Sequence, residues 1–414
     1  MSRISVITAG HLSTCPRMLK AAESLGEAGY DVRVVSTNFE PWATAADDAL
    51  RARLQLNWSV VDYSRSTANI SRVRAGLRYR ICRQLVKAIG ADKLSPGVVA
   101  SAMNRVSPEL VSATAAEPAD LIYSGGGALL PAMLAARRLG VPYAVDLEDF
   151  HSGEQASTTG EKNLTNALAE AAEKFVFREA AFLTTASEAI ADQYAFKYSR
   201  RPLVINNTFR LPVSPPDFSA GNGSILRLYW LGQTIGPHRG LEDCIRAAGV
   251  AEIACKLHLR GKAVPEYFSS LRQLTARYAP KLTIIQHEPV ASDDMVDTCR
   301  GMDVGLALEP GFSDNNALAL SNKALTYILA GLAVIFTDTP GQRALARDLG
   351  AGAWLYSPGD VARLAVGLKL WAEDPARLLT ARKAAWDAAC LRWHWGHPEE
   401  EGALLRAVET VLPR

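Results

Sequence analysis

The sequence predicts an α/β protein with two Rossmann-like β/α/β domains that face each other across a cleft. Three observations support this fold class. The chain has 414 residues, more than one ordinary core requires. Short apolar runs alternate with helix-length amphipathic segments almost from end to end. A single Pro-, Gly- and Ser-rich stretch at 211–224 interrupts the alternation. Strands separated by helices form parallel sheets with helices on both faces.

The first half of the chain carries the first series of predicted elements. Its helices are expected at 18–28, 129–139 and 190–196, and Gly29 is expected to close the first of them. The predicted strands are 4–8, 32–35, 121–123, 143–145, 182–185 and 203–205.

The second half repeats the pattern. Helices are predicted at 241–250, 267–278 and 324–330. The predicted strands are 226–231, 256–259, 282–285, 304–308 and 334–337. These series predict a first domain over 1–210, a linker over 211–224 and a second domain over 225–385. A helical segment over 386–414 is expected to pack back on the first domain.

Composition excludes several classes of protein. Hydrophobic residues make up 48% and charged residues 21%, values typical of a packed globular chain. The net charge of +2 gives no reason to expect nucleic acid as a partner. Six scattered cysteines without a Cys-x-x-Cys pair indicate reduced, buried thiols. No stretch of eighteen apolar residues occurs, and the first apolar run is shorter than a secretory signal requires, so a cytoplasmic protein is expected.

The stretch 232–240 is a candidate diphosphate site because it joins a predicted strand to a predicted helix. Gly232 and Gly240 allow close approach of the backbone to an anion, and the helix N-terminus offers N–H groups. Arg239 supplies a bidentate cation. The alternative is a plain turn with a surface arginine.

A second candidate lies after the predicted strand that ends near Glu309. Ser321 and Asn322 can cap the following helix, which leaves Lys323 in its first turn. A cation is unfavourable at this end of the helix dipole, and an anionic ligand would explain it. A lysine that simply reaches solvent is the alternative.

An acidic cluster follows the predicted strand 143–145. Asp146, Glu148 and Asp149 could supply a general base or orient substrate hydroxyls, with His151 sharing that role. Repulsion among like charges would raise the pKa of one carboxyl group. The alternative is that an aspartate only caps the loop. His11 lies in the first strand-to-helix loop, where a structural histidine is the simpler interpretation.

The segment 71–90, from Ser71 to Gly90, predicts a basic amphipathic helix without an acidic residue. Such a helix suits an anionic membrane surface or a lipid-linked ligand. A helix packed on the first domain, with solvated arginines, is the alternative. Its basic residues are Arg72, Arg74, Arg78, Arg80, Arg83 and Lys87, and its apolar residues recur every four positions as Val73, Leu77, Ile81, Leu85 and Ile89.

The second half resembles the nucleotide-sugar domain of the large GT-B glycosyltransferase family of glycan and glycolipid biosynthesis, the glycosyl transferases group 1 type. The stretch 232–240 is similar to that family's Gly-Arg-x-x-x-x-(Arg)-Lys-Gly motif, and 322–334 to its Asn-Lys-x-x-Glu-Tyr-x-x-Ala-Gly-x-Pro-Val motif. The first half resembles the acceptor domain through 16–20, 146–154 and the Ala-Ser-Glu-Ala-Ile sequence at 186–190.

This resemblance implies transfer of a sugar from a nucleotide sugar to a glycan, lipid-linked or other hydroxyl acceptor in polysaccharide or glycolipid biosynthesis, and favours retention of anomeric configuration. It places His11 and Arg17 on the acceptor side. No cofactor is expected, and no metal, because the sequence lacks an Asp-x-Asp motif. The implied donor-binding residues are Gly232, Gln233, Arg239, Gly240, Glu309, Asn322, Lys323 and Thr326.

The chain departs from the family's motifs at three positions. Leu318 and Thr326 stand where many relatives have two glutamates, the second of which holds the donor ribose, and Gln233 replaces an arginine. Glu309 or Thr326 could take over the ribose contact. A nucleotide-sugar 2-epimerase and a non-catalytic two-lobed nucleotide-sugar-binding protein remain alternatives. The expected location is the cytoplasm, peripheral to the inner face of the cell membrane if 71–90 binds lipid.

Overall fold

The computed structural model describes residues 1–64, 70–156, 164–218, 225–290 and 294–412, without the side chains of 70 and 71. The chain forms two compact units. The first comprises Met1–Ile205 and Glu401–Arg414, and the second comprises Asn206–Glu400. Each unit contains one parallel β-sheet with helices between successive strands.

The sheet of the first unit has seven strands in the order β3-β2-β1-β4-β5-β6-β7. The central strands are almost entirely buried because helices cover both faces, which explains their continuous apolar sequences. The strands are β1 (Arg3–Thr8), β2 (Asp31–Asn38), β3 (Asn57–Asp62), β4 (Leu121–Gly125), β5 (Tyr143–Asp146), β6 (Leu183–Thr185) and β7 (Leu203–Val204).

The helices of the first unit include the C-terminal helix of the chain, which packs on the first helix. They are α1 (Pro16–Glu27), α2 (Pro41–Leu54), α3 (Ile70–Ile89), α4 (Pro96–Met103), α5 (Ser107–Thr114), α6 (Leu129–Leu139), α7 (Leu164–Glu179), α8 (Glu188–Tyr198) and α17 (Glu401–Val411).

The sheet of the second unit has six strands in the order β10-β9-β8-β11-β12-β13. Buried apolar side chains pack the surrounding helices against both faces of this sheet. The strands are β8 (Leu226–Ile235), β9 (Cys255–Ala263), β10 (Leu282–His287), β11 (Val304–Ala307), β12 (Ala333–Thr337) and β13 (Ala353–Tyr356). The helices are α9 (Leu241–Ala251), α10 (Pro265–Tyr278), α11 (Met295–Thr298), α12 (Asp314–Leu318), α13 (Asn322–Leu329), α14 (Arg343–Leu349), α15 (Val361–Glu373) and α16 (Pro375–Leu391).

Two Rossmann-like units confirm the predicted fold class, and every predicted strand and helix of the two series lies in the structure. The sequence pattern missed β3 and β13, two edge strands whose residues are mostly half-buried rather than alternately apolar. The six cysteines lie in the described ranges and form no disulfide, as predicted. Five of them are buried, whereas Cys390 is exposed.

The unit boundaries differ from the predicted ones at both ends. The first unit ends at Ile205, and α16 remains in the second unit, where its buried Arg382 donates to the Gly331 carbonyl. Only α17 belongs to the first unit, and Ser24 donates to Glu401 there. The predicted linker 211–224 starts with residues packed on the second unit, since Arg382 donates to the Asp217 carbonyl; its remainder, 219–224, lies outside the described residues.

Each sheet has one point where the strand order reverses, between β1 and β4 and between β8 and β11. Ligands of open α/β sheets bind beyond the carboxyl ends of the strands at such points. In the second unit, the loop after β8 contacts the end of β11 closely at Gly240. Gly240 has φ +71°, and a Cβ there would lie 2.4 Å from the Leu308 carbonyl oxygen.

Replacing Gly240 with Ala should therefore cost more stability than replacing Gly359. Gly359 also has positive φ, but a Cβ there would meet nothing within 4 Å. We expect about 1–2 kcal/mol for Gly359→Ala, the ordinary cost of a left-handed backbone. Gly240→Ala should cost a further ~1–3 kcal/mol because of overpacking. Urea unfolding measures both, and equal losses would contradict the close contact.

Candidate active site

Two loops and the start of one helix meet at the reversal point of the second sheet, between β8 and β11. Gly240 rests against Leu308, and the His238 ring centroid lies 5.3 Å from that of Phe312. The first turn of α9 begins directly after Gly240, so the positive end of its dipole lies at this point. The sequence pattern gave no indication of the His238–Phe312 contact, which joins residues distant in the chain.

Glu309, just beyond β11, forms the centre of this site. Ser321 donates to its Oε1 atom at 3.0 Å, and Lys323 forms an ion pair with the same oxygen. Burial raises the pKa of Glu309, but the Lys323 charge outweighs burial, so the net shift is downward. The Oε2 atom is buried without a hydrogen-bond partner among the residues described. The cluster thus holds a charged carboxylate with one oxygen left to accept from a ligand.

Lys323 and Arg239 differ in their surroundings. Lys323 lies in the first turn of α13, as predicted, and its Nζ atom is 5.7 Å from the Trp230 ring centroid. Its side chain is 15% exposed, so it does not simply reach into solvent. Arg239 is half-buried and has no hydrogen-bond or ion-pair partner in the described part of the chain. Arg239 therefore offers a full set of donors to an anion.

Three predicted donor-binding residues lie differently from expectation. Gly232 and Gln233 belong to β8, which continues through a bulge and pairs with β9 as far as Ile235, so the loop is shorter than 232–240. Thr326 is buried, and its hydroxyl donates to the Asn322 carbonyl one turn earlier in α13. Burial and this intrahelical bond disfavour the ribose contact that was predicted as one alternative for Thr326. Asn322 is exposed at the first position of α13.

Arg17 and Asp146 form a buried ion pair in the first unit. The Nε and Nη2 atoms of Arg17 donate to the two carboxylate oxygens at 2.6 and 2.7 Å, and Nη1 donates to the Ile205 carbonyl. Thr184 donates to the same carboxylate at 2.7 Å. Three of the five guanidinium N–H groups of Arg17 are used in this way, and both side chains are buried. This geometry favours a structural ion pair over the predicted base role of Asp146 and the predicted acceptor contact of Arg17.

Glu148 is the carboxyl group of the cluster that can exchange a proton near neutral pH. Burial raises its pKa to about 7, the charges of Asp149 and Asp146 add to this effect, and Arg17 opposes it. The backbone of Glu148 has φ +50°, a region that non-glycine residues rarely adopt. Such strained positions cluster at functional sites. Asp149 is half-buried beside it.

His151 is cationic rather than basic. Burial lowers its pKa, but the hydrogen bond from Nδ1 to Glu154 at 2.5 Å outweighs burial and raises the pKa to about 9. At neutral pH the ring is therefore already protonated. A protonated ring does not act as a base, so the pair with Glu154 disfavours the predicted share of His151 in general base catalysis.

His11 supports the backbone. Its Nε2 atom accepts from the amides of Phe39 and Glu40, at 3.1 and 3.0 Å, at the start of α2. The ring proton consequently lies on Nδ1, which is 2.9 Å from Asp47. With both nitrogens engaged and 1% exposure, His11 has no contact to offer an acceptor, which corrects its predicted role.

Glu173 is a buried carboxylate that the sequence pattern did not reveal. It accepts from the Ser152 amide at 2.8 Å and from Lys197 at 3.1 Å. The hydroxyls of Tyr194 and Tyr198 donate to it as well. These contacts fix the loop that follows β5. An acid on an otherwise apolar helix face is the one sequence signal that could have indicated it.

A cavity of about 400 Å³ opens beyond the carboxyl ends of β1, β2 and β3, bordered on one side by α3. Burial raises the pKa of the Tyr63 phenol in it, and the positive charges of Arg105 and Arg72 oppose the rise. Sequence analysis missed the cavity because β3 and the turn before α2 were not predicted. Its polar lining comprises Thr37, Glu40, Tyr63, Arg72, Asn104 and Arg105.

The described residues contain no group of three His, Cys, Asp or Glu side chains placed to hold a metal ion. None of the described helices has the length and apolarity needed to cross a membrane.

Comparison with known proteins identifies the fold and the family domain. Residues 16–208 match the glycosyl transferase 4-like domain. The structure of Anabaena HepE with UDP and glucose has a TM-score of 0.68 at 16% identity, covering 100% of this chain and 99% of that one. An S. aureus TarM variant with Fondaparinux, alpha-GlcNAc-glycerol and UDP gives 0.67 at 8% identity, covering both chains fully. A Rickettsia africae glycosyltransferase gives 0.65 at 8%, covering 100% and 99%. No curated protein matches the chain significantly.

The two Rossmann-like units and these structural matches define the GT-B fold. The match over 16–208 identifies a glycosyl transferase 4-like domain in the first half. The chain therefore has the GT-B fold, as the family resemblance in the sequence implied, and it carries this family domain over 16–208.

The buried ion pair at Asp146 leads to a stability prediction. Asp146→Asn leaves the buried Arg17 without its counter-ion, and we expect a loss of about 3–5 kcal/mol in the free energy of unfolding. Glu179→Gln is the control, because it breaks the exposed pair with Arg137. That change should cost less than about 1 kcal/mol. If the free energy of unfolding of Asp146→Asn, measured in urea, were close to that of the wild type, the pair would not be structural.

Proposed function

We propose that the chain is a glycosyltransferase that takes its sugar from a UDP-sugar bound at the reversal point of the second sheet. The observation that carries the proposal is the group of fixed positive features there: Arg239, Lys323 and the start of α9. Two phosphates need this kind of charge-assisted donor set. UDP is the favoured nucleotide because the similar HepE and TarM structures contain it.

Glu309 is proposed to contact a hydroxyl of the donor. Its Oε2 atom is buried without a partner among the residues described, and its charge is maintained by Lys323. A carboxylate oxygen in this state accepts a hydroxyl hydrogen bond strongly. Glu309 would then supply the donor contact that neither Leu318 nor Thr326 can make.

We propose that the acceptor binds in the cavity of the first unit. Transfer requires such a separate acceptor site, whereas 2-epimerisation and simple nucleotide-sugar binding do not, so this proposal favours transfer. The cavity has room for a sugar or a phosphate-bearing headgroup, and its arginines suit an acceptor with negative charge. Nucleotide release from a panel of nucleotide sugars, with and without glycan and lipid-linked acceptors, tests this. Release without any acceptor, together with an epimerised sugar, would favour the epimerase.

We further propose that the leaving UDP is stabilised by these fixed charges and not by a metal ion. Asp146, the residue that could have completed a three-carboxylate ligand set, is occupied by Arg17. Preorganised donors can stabilise such a leaving group. Turnover should therefore survive EDTA. Loss on chelation with recovery on addition of Mg²⁺ or Mn²⁺ would overturn this part of the proposal.

Removing either cation should weaken binding of UDP. Arg239→Ala and Lys323→Ala should each cost about 1.5–3 kcal/mol, the scale of a hydrogen bond to a charged group. Uridine, which lacks the phosphates, should lose much less. Isothermal titration calorimetry measures both ligands, with Arg347→Ala, an exposed change on α14, as the control.

Lys323→Ala also leaves Glu309 buried without its counter-ion, so its thermal unfolding must be measured in parallel. The double variant Glu309→Gln/Lys323→Ala should recover stability without recovering UDP affinity. Equal losses for UDP and uridine, or no loss at all, would contradict the assignment of the diphosphate site.

Glu148 is proposed as the group that orients or deprotonates the acceptor hydroxyl. Glu148→Gln should lower kcat by about a hundredfold, within the range of general base catalysis, and should leave UDP binding intact. With a pKa of about 7, the base becomes active as pH rises, so the wild-type rate should increase through pH 7. That increase should vanish in Glu148→Gln.

Stability provides an independent measurement of the same proton. Because the folded-state pKa lies above the ordinary value of 4.5, the folded state binds more protons between about pH 4.5 and 7. As pH rises from about 4.5 to 7, the free energy of unfolding of the wild type should therefore fall relative to that of Glu148→Gln. Parallel curves for the two proteins would show that Glu148 is not the titrating group.

A further inference from the structure

Helix α3 exposes a continuous apolar stripe from Val73 to Ile89. Four residues are slightly more than one helical turn of about 3.6 residues, so these side chains follow one another along a line that winds slowly around the helix. The exposed fractions are 74% for Val73, 59% for Leu77, 52% for Ile81, 38% for Leu85 and 45% for Ile89.

A different face of α3 attaches the helix to the first unit. Ala75, Cys82 and Val86 are buried there, and α3 packs mainly on α4. The stripe consequently takes no part in the core. Single exposed apolar residues are ordinary, but a contiguous apolar surface on a folded protein marks an interaction site.

Arg72 lines the cavity described above, and the other five charges of α3 divide into two groups. Arg78 is held by Glu109 at 2.7 Å, and Arg83 donates to the Tyr79 hydroxyl at 3.1 Å. Arg74, Arg80 and Lys87 have no ion pair or hydrogen bond to any residue that the structure describes. They are exposed, and the helix sequence contains no acidic residue. The stripe is therefore accompanied by uncompensated positive charge.

We propose that α3 lies in the plane of an anionic lipid bilayer, with the stripe at the boundary between headgroups and acyl chains. Helices with a cationic polar face and an apolar face bind in this way. Arg74, Arg80 and Lys87 would contact lipid phosphates, and their aliphatic stems would cover the neighbouring apolar surface. With 20 residues, α3 offers a contact about 30 Å long.

The charge pattern favours lipid over a second copy of the chain. Pairing two stripes would bring the unpaired cations of both copies together, and like charges at such short distances repel. An anionic bilayer instead supplies a counter-charge wherever the cations lie. Neutral lipid would satisfy only the apolar residues.

Sedimentation with vesicles tests the proposal without nucleotide or acceptor, so its outcome is independent of sugar transfer. The wild type should bind vesicles of equal parts phosphatidylglycerol and phosphatidylcholine, and binding should weaken as salt is raised. Leu77→Ser/Ile81→Ser and Arg80→Gln/Lys87→Gln should each lower the partition coefficient by about tenfold or more, since these contacts supply most of the binding.

Matched controls remove the same types of residue elsewhere. Phe196→Ser/Val250→Ser deletes two exposed apolar side chains, and Arg347→Gln/Lys383→Gln deletes two exposed cations. Both controls should bind as the wild type does. All four variants should keep the wild-type melting temperature, because the changed side chains are exposed.

Three results would overturn the proposal. The first is absence of wild-type binding to the anionic vesicles. The second is equal binding to pure phosphatidylcholine. The third is a concentration-dependent dimer, seen by analytical ultracentrifugation, that Leu77→Ser/Ile81→Ser abolishes, because the stripe would then cover a second copy.

Discussion

The buried pair of Arg17 and Asp146 is the interaction on which the first unit depends. It joins the first turn of α1 to the end of β5 and, through the Ile205 carbonyl, to the last residue before the chain enters the second unit. Taking two charges out of water is costly, and full hydrogen bonding offsets that cost. Thr184 completes the set of contacts. Because Asp146 is committed to this pair, Glu148 is left as the carboxyl group of the cluster with a pKa near neutrality.

Two glutamates just beyond strand ends have opposite properties because of their neighbours. Glu309 lies against Lys323, which lowers its pKa and keeps it charged. Glu148 is dominated by burial, so its pKa rises to about 7. Environments that separate the pKa values of similar groups are the usual means of assigning them different tasks. One glutamate is thereby suited to accept hydrogen bonds permanently, and the other to exchange a proton.

Helix α3 connects the proposed acceptor cavity to the proposed membrane contact. Arg72 and Tyr79 line the cavity, whereas the stripe from Val73 to Ile89 faces solvent. One helix thus contributes to both surfaces because its residues are distributed around its axis. A lipid-linked acceptor held in the bilayer would meet the cavity close to the membrane surface, which agrees with the arginines in its lining.

Sequence alone determined the fold class, the main strands and helices, the position of Lys323 at the start of α13, and the basic amphipathic character of α3. These features follow from local periodicity and from the capping preferences of single residues. Tertiary structure decided which charged groups meet. Arg17 and Asp146 lie 129 positions apart, so no local pattern could show that they neutralise each other. The same limit hid the network of Glu173, the capping role of His11 and the exposure of the α3 stripe, because burial and pairing depend on which elements pack together.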